Sequence, residues 1–194
     1  MSKTKNIIIS GVGGQGILTA SEILALCAME ENLDVKKSEV HGMSQRGGSV
    51  VSFVRFGEKV YSPLIEKGSG DVILAFEKAE ALRWRGYLKK EGGVVIMNTL
   101  EIYPTTVSLG LDTYPENVEE EFKKYGVKTI VVDAVGLSIK AGDPRTQNTV
   151  LLGVLSNFID FSVDTWIKVI KYRVPPKTVE ANLRAFELGR SIKA

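Results

Sequence analysis

Hydrophobic and polar positions along the chain alternate between short β-branched runs and longer, partly apolar segments with helical spacing. Asn6–Ser10 is a compact apolar run that stops at a cluster of glycines, and it reads as a buried strand. From Gly16 to Glu31, Ile17, Leu18, Ile23, Leu24, Leu26 and Cys27 recur at offsets that suit a helix buried over much of its surface. Asp34–Val40 is a second strand, so the chain opens as strand, loop, helix, strand. Ser49–Phe56 is a strand, and Gly57 is expected to turn it toward Lys59–Ser62 as a hairpin inserted in the sheet. Asp71–Phe76 predicts a strand, Glu77–Leu88 a helix and Gly93–Asn98 a further strand. Pro115–Tyr125 reads as a surface helix. Glu119 and Glu120 precede Lys123 and Lys124 by four residues, which suits both ion pairing and the helix dipole. Lys128–Asp133 is the last strand. The remainder is helical: Thr146–Ile159, Val163–Tyr172 and Pro176–Ser191, with Val179, Leu183 and Phe186 on one face of the last.

This order predicts an α/β domain spanning residues 1–194, with a largely parallel mixed sheet, helices on its faces, a Rossmann-like start and the inserted hairpin. A chain of 194 residues fits one domain with a substantial core. Its 25 basic and 23 acidic residues leave a net charge of +2, too little to argue for nucleic acid or an anionic membrane as partner. The Ile7-Ile8-Ile9 run is too short for a signal segment or a membrane span. Cys27 is the single cysteine. It cannot form an internal disulfide, hold an iron–sulfur cluster or complete a structural zinc site, and its place in an apolar helix marks it as a core residue. A reducing, cytoplasmic compartment is the expectation. Trp84 and Trp166 read as packing residues.

Two loops hold the candidate chemistry. Gly11-Val12-Gly13-Gly14-Gln15-Gly16 lies between a strand and a helix, where glycines allow a tight turn and the helix start offers free N–H groups to an anion. One reading is a dinucleotide site for NAD or FAD, with Glu39 at the end of the second strand gripping the ribose. The other is that the glycines serve only close strand-to-helix packing. His41-Gly42-Met43-Ser44-Gln45-Arg46-Gly47-Gly48-Ser49 gathers the only histidine, an arginine, polar side chains and glycines in one loop. It follows the second strand, so it should share the carboxyl edge of the sheet with the glycine turn. Asn98 after a strand, and Asp143-Pro144 leading through Thr146 and Asn148 into a helix, form a weaker cluster. Here Asp143-Pro144 reads as a turn and Thr146 as a helix cap. The sequence contains no Cys-x-x-Cys, no P-loop and no thiamine-diphosphate signature.

The two glycine-rich motifs, in this order and at this spacing, resemble the gamma domain of the pyruvate and 2-oxoacid:ferredoxin oxidoreductases. The nearest resemblance within that family is to the small subunit of the indolepyruvate type. Ser38-Glu39-Val40 before the second motif, Ser49-Val50-Val51-Ser52 after it, and Asn148-Thr149-Val150-Leu151-Leu152-Gly153 fit the same pattern. The resemblance implies a hetero-oligomeric enzyme that converts a 2-oxoacid and coenzyme A to acyl-coenzyme A, carbon dioxide and reduced ferredoxin. Thiamine diphosphate and 4Fe–4S clusters would belong to a large alpha subunit, and this chain would be inactive alone. The residues implied at the substrate, coenzyme A or partner contact are Gly11, Gly13, Gly14, Gln15, Gly16, His41, Ser44, Gln45, Arg46, Gly47, Gly48, Asn98 and Asn148. Arg46 would meet a phosphate or carboxylate, and His41 would orient a polar group or donate a proton. A free-standing dinucleotide-binding protein or NAD/FAD-dependent oxidoreductase is the alternative.

Overall fold

The computed structural model describes residues 4–41 and 47–192. Its centre is a sheet of β1 (Lys5–Val12), β2 (Asp34–His41), β3 (Ser49–Gly57), β4 (Val72–Ala75), β5 (Val94–Asn98) and β6 (Lys128–Val132), in the spatial order β2-β3-β1-β4-β5-β6. β1, β4, β5 and β6 pair in parallel, while β3 is antiparallel to both β1 and β2. The sheet is therefore mixed, with its parallel pairs on one side of β1.

The expected 49–62 hairpin does not form. Both edges of β3 are already used, one by β1 and the other by β2, so Lys59–Ser62 finds no free edge to pair with. The antiparallel connection instead joins β2 to β3. Residues 58–65 run as coil, tied down where the Val60 N–H donates to Asp34 Oδ2 at 3.0 Å and Arg55 Nη1 donates to the Ser62 and Leu64 carbonyls, each at 2.8 Å.

Alternation along β1 assigns the two faces. Ile7 and Ile9 point into one core with Val54, Leu74 and Ile96. Ile8 points into the other with Phe53, Ile73 and Val95. The first core is covered by α1 (Ile17–Glu30) and by helices from the C-terminal part of the chain. The second is covered by α2 (Lys78–Arg83), with the short α3 (Thr105–Ser108) and then α4 (Val118–Tyr125) following β5. The helix expected over Glu77–Leu88 is shorter, because it tightens into a 3-10 turn at Arg85–Tyr87. The ion pair on α4 joins Glu121 to Lys124 at 3.1 Å rather than the residues four apart, since Glu121 also reaches Arg85 on the neighbouring turn at 3.0 Å.

After β6 comes a helix that periodicity does not reveal, α5 (Ala134–Ala141). Asp133 Oδ1 caps it by accepting the Gly136 N–H at 2.8 Å, and Gly142 ends it in the left-handed conformation. Then follow α6 (Gln147–Leu155), α7 (Val163–Arg173) and α8 (Val179–Arg190). α6 and α8 meet at two glycines. A Cβ on Gly153 would lie 2.2 Å from the Phe186 carbonyl oxygen, and one on Gly189 would lie 2.0 Å from that of Val150. Cys27 and Trp166 are fully buried in this helical core, and Trp84 packs against Phe53 and Tyr87.

Candidate functional site

β1, β2, β4, β5 and β6 all end at one edge of the sheet, and β3 starts from it. The Gly11–Gly16 turn and the described flanks of the second motif, His41 and Gly47–Ser49, lie at that edge. The carboxyl edge is where ligands bind in open α/β sheets, because strand ends and helix starts leave polar backbone groups there.

The glycine turn is held from within. Gln15 folds back so that its Oε1 accepts the Val12 N–H at 2.6 Å, while its Nε2 donates to the Phe76 carbonyl at 3.0 Å. A Cβ on Gly11 would stand 2.6 Å from that Oε1 and 2.8 Å from Phe76 Cβ, so only glycine fits beneath the clamp. Gly14 and Gly16 have φ of 103° and 87°, a region that residues with a Cβ rarely adopt. Gly16 precedes α1 without any side-chain cap, and the first turn of α1 carries no acidic residue.

The second motif meets the turn through its flanks. The Gly13 N–H donates to the Gly48 carbonyl at 2.8 Å, Gly47 N–H reaches the Gly13 carbonyl at 3.5 Å, and Val12 pairs with Ser49. Ser49 Oγ in turn donates to Glu80 Oε2 at 2.5 Å, and Arg83 Nε donates to Glu80 Oε1 at 2.9 Å. His41 is the last residue of β2, opposite Val50. Its side chain, and Ser44, Gln45 and Arg46, lie outside the described residues.

Two asparagines at this edge behave differently. Asn98 is fully buried; its Nδ2 donates to the Phe76 carbonyl at 3.2 Å and its Oδ1 accepts the Ala134 N–H at 3.1 Å. It fastens the ends of β4 and β5 to the start of α5. Asn148 is 8% exposed and anchors its Oδ1 on the Thr149 N–H at 3.0 Å. Its Nδ2 stands 3.1 Å from where a Gly16 Cβ would be, and it has no acceptor among the described residues. Asn148 lines a recess of about 330 Å³ together with Thr19, Asp143, Arg145, Arg173 and Asn182. The hydroxyl of Thr146 donates to the Asp143 carbonyl at 2.8 Å, so it does not cap α6 as its position suggests. Asp143 caps the 3-10 turn Pro144–Thr146 that precedes α6, accepting the Arg145 N–H at 2.9 Å, and α6 itself has no side-chain cap. Hydrogen bonds and charge from Arg145 hold the Asp143 carboxyl down at about 2.

Sequence reasoning missed a group of residues on the other side of the edge. Glu77 is buried, with its Oε1 accepting from the Tyr114 hydroxyl and from Ile102 N–H at 3.1 Å, and its Oε2 accepting from Glu80 N–H at 2.9 Å. Burial and the Glu77 carboxylate push the Tyr114 hydroxyl above the usual phenol range. No local pattern links Glu77 to Tyr114, because the contact spans 37 residues of chain. Glu39 does not occupy the ribose-gripping position. β3 stands between β2 and β1, which puts Glu39 roughly 10 Å from β1, and its carboxylate is paired with Lys37 at 2.6 Å. Among the described residues no group of His, Cys, Asp and Glu side chains could hold a metal ion, and no helix is long and apolar enough to cross a membrane.

Comparison with known proteins agrees with this geometry. The family profile for pyruvate ferredoxin/flavodoxin oxidoreductase matches residues 6–192. Indolepyruvate oxidoreductase subunit IorB of Thermococcus kodakarensis is 50% identical over 195 residues, covering 96% of this chain and 95% of that one. The same subunit of Pyrococcus horikoshii is 48% identical over an equal span. Among solved structures, the gamma subunit of a keto/oxoacid ferredoxin oxidoreductase from Geobacter sulfurreducens superposes with a TM-score of 0.71 at 25% identity, covering 95% of both chains. The resemblance carried by the two glycine-rich motifs thus extends over the chain, and the chain belongs to the pyruvate ferredoxin/flavodoxin oxidoreductase family.

Proposed function

We propose that this chain is the small, cluster-free subunit of a 2-oxoacid:ferredoxin oxidoreductase that acts on indolepyruvate and related aryl pyruvates. In that enzyme the 2-oxoacid and coenzyme A yield acyl-coenzyme A, carbon dioxide and reduced ferredoxin. The observation that carries the reading is the likeness to indolepyruvate oxidoreductase subunits along nearly the full length of both chains. Thiamine diphosphate and 4Fe–4S clusters would supply the decarboxylation and electron transfer from a large partner subunit. The residues here suit that division, since the one cysteine is buried and its thiol is pushed far above its ordinary range by burial and by Glu31 and Glu30. A buried lone thiol also suits a reducing cytoplasm.

In this reading the Gly11–Gly16 turn and the His41–Ser49 loop form one composite surface facing the partner's thiamine site. The Gly13–Gly48 hydrogen bond supports it by holding the flank of the loop against the turn. Arg46 would contact a phosphate or carboxylate and His41 a polar group. Gln15 and Asn98 contribute differently, because their amides are already engaged within the chain; they would set the shape of the surface rather than touch ligand.

The test is co-expression with the large subunit, followed by assay of aryl-pyruvate- and coenzyme-A-dependent ferredoxin reduction. The complex should be active and this chain alone inactive and free of iron. Loss of a desolvated arginine contact costs about 2–5 kcal/mol, so Arg46→Ala should weaken coenzyme A or substrate use, or assembly, while the subunit stays folded. Unchanged kinetics and unchanged assembly in both Arg46→Ala and His41→Ala would reduce the loop to scaffolding. Activity with other 2-oxoacids and none with aryl pyruvates would reject the substrate assignment.

A further inference from the structure

We propose that the start of α1 and the Asn148 amide together form an oxyanion subsite for a phosphoryl group. The inference rests on the reading of this edge as the ligand-bearing one and assigns it a chemistry that the composite surface alone does not specify.

The first observation is the backbone. α1 is 14 residues long, has no side-chain cap, and its first turn holds no acidic residue. Ala20 N–H is the first amide to close onto the turn, donating to the Gly16 carbonyl at 3.0 Å. Among the described residues, the N–H groups of Gly14, Gly16, Ile17, Leu18 and Thr19 have no acceptor. Most helices satisfy part of this set with a Ser, Thr, Asp or Asn side chain. Here Gly16 removes that possibility, and no acidic residue in the first turn offsets the positive end of the dipole.

The second observation is independent. Asn148 comes from α6, remote in sequence, and is more than nine-tenths buried. Its carbonyl end is fixed by the Thr149 N–H, and this turns Nδ2 toward Gly16. That Nδ2 has no acceptor among the described residues, while the residue lines the recess beside α1. The Asn148 amide, set beside Gly16, adds a further donor to a helix start whose N–H groups have no acceptor among the described residues. The arrangement is complementary to a group made of acceptors, carrying negative charge and reaching several donors at once. A phosphoryl oxyanion has that form.

The rim charges do not account for the site. Arg145 is engaged with Asp143 at 2.7 Å and Arg173 with Glu22 at 2.5 Å, so each cation in the recess already holds a carboxylate. Recognition would come from the N–H dipoles and the amide. Asn148→Asp is therefore a sharp probe. It keeps the oxygen that accepts from Thr149, replaces the donor by an acceptor, and puts a negative charge where the oxyanion would sit. The new carboxylate should itself satisfy the α1 amides and leave the fold intact.

The experiment titrates inorganic diphosphate, ADP and coenzyme A separately onto the full chain, reading ¹⁵N–¹H shifts and binding heat. All three should move the amides of Gly14, Gly16, Ile17 and Leu18 in the wild-type protein. In Asn148→Asp the affinity should fall by about ten-fold or more, with an unchanged melting temperature. If only coenzyme A binds, shifts these amides and is lost in the variant, the subsite stands as specific to the larger ligand. Absence of shifts at these amides with every probe overturns the subsite, as does binding that Asn148→Asp leaves unaltered. These outcomes are separate from the functional reading. A complex inactive on every 2-oxoacid, in a chain whose α1 amides respond to diphosphate, would reject that reading and keep the subsite.

Discussion

Asn98 and Asn148 occupy the same edge of one sheet and the same burial class, yet their amides are in opposite conditions. Asn98 gives to one carbonyl and takes from one N–H across three elements. Asn148 takes from its own helix and gives to nothing among the described residues. The contrast extends to their surroundings. Around Asn98, Glu77, Tyr114 and Gln15 close every polar group onto another part of the chain. Around Asn148, the first amides of α1 have no acceptor among the described residues. Burial alone therefore does not distinguish scaffold from site; the accounting of donors and acceptors does.

The largest effect should come from breaking the closed side. Asn98→Leu orphans the Ala134 N–H in the core and leaves the Phe76 carbonyl to Gln15 alone, which should cost about 2–3 kcal/mol. Urea unfolding would show it as a lower midpoint at an unchanged slope. A loss below about 1 kcal/mol would mean that Asn98 is not the fastening described.

Gln15→Ala should come next. It removes the clamp from Val12 and Phe76 at a partly solvated position, with a loss of about 1–2 kcal/mol by the same measurement. If stability holds and only ligand use falls, Gln15 belongs to the open side. Asn148→Asp should change stability by less than about 1 kcal/mol in either direction. A loss as large as that of Asn98→Leu would erase the distinction between the two residues.

Cys27 supplies the smallest signal and a control for the core. Its thiol is buried and held protonated by desolvation and by Glu31 and Glu30, so an aromatic disulfide reagent at neutral pH should not label the native chain. Labelling should follow global unfolding. Fast labelling of the native protein would show that the α1 face of the core opens.

Much of the fold was legible because local periodicity is enough to set a strand or an amphipathic helix. The expected strands at Asn6–Ser10, Asp34–Val40 and Lys128–Asp133 appear with ends shifted by one or two residues, and so does the helix after Gly16. α5 was not legible, since Gly136 and a short apolar run hide its period; Asp133 and Gly142, its two caps, were the only signal. The hairpin failed for a different reason. Whether Lys59–Ser62 can pair depends on which edges of β3 remain free, and β1 and β2 settle that from elsewhere in the chain.

The sequence by itself determined the alternation of elements, the strand–glycine–helix turn, the absence of a cluster-forming cysteine set and the family. These follow from residue order over a few positions, or from motif spacing. Only the tertiary structure decided that Gln15 and Asn98 spend their amides internally, that Glu39 stands a strand too far from β1, and that Asn148 faces Gly16 with a donor that meets no acceptor among the described residues. A hydrogen bond depends on distance and direction to within a fraction of an ångström. Residues 61 positions apart, as Gln15 and Phe76 are, acquire that relation only when the whole sheet is assembled.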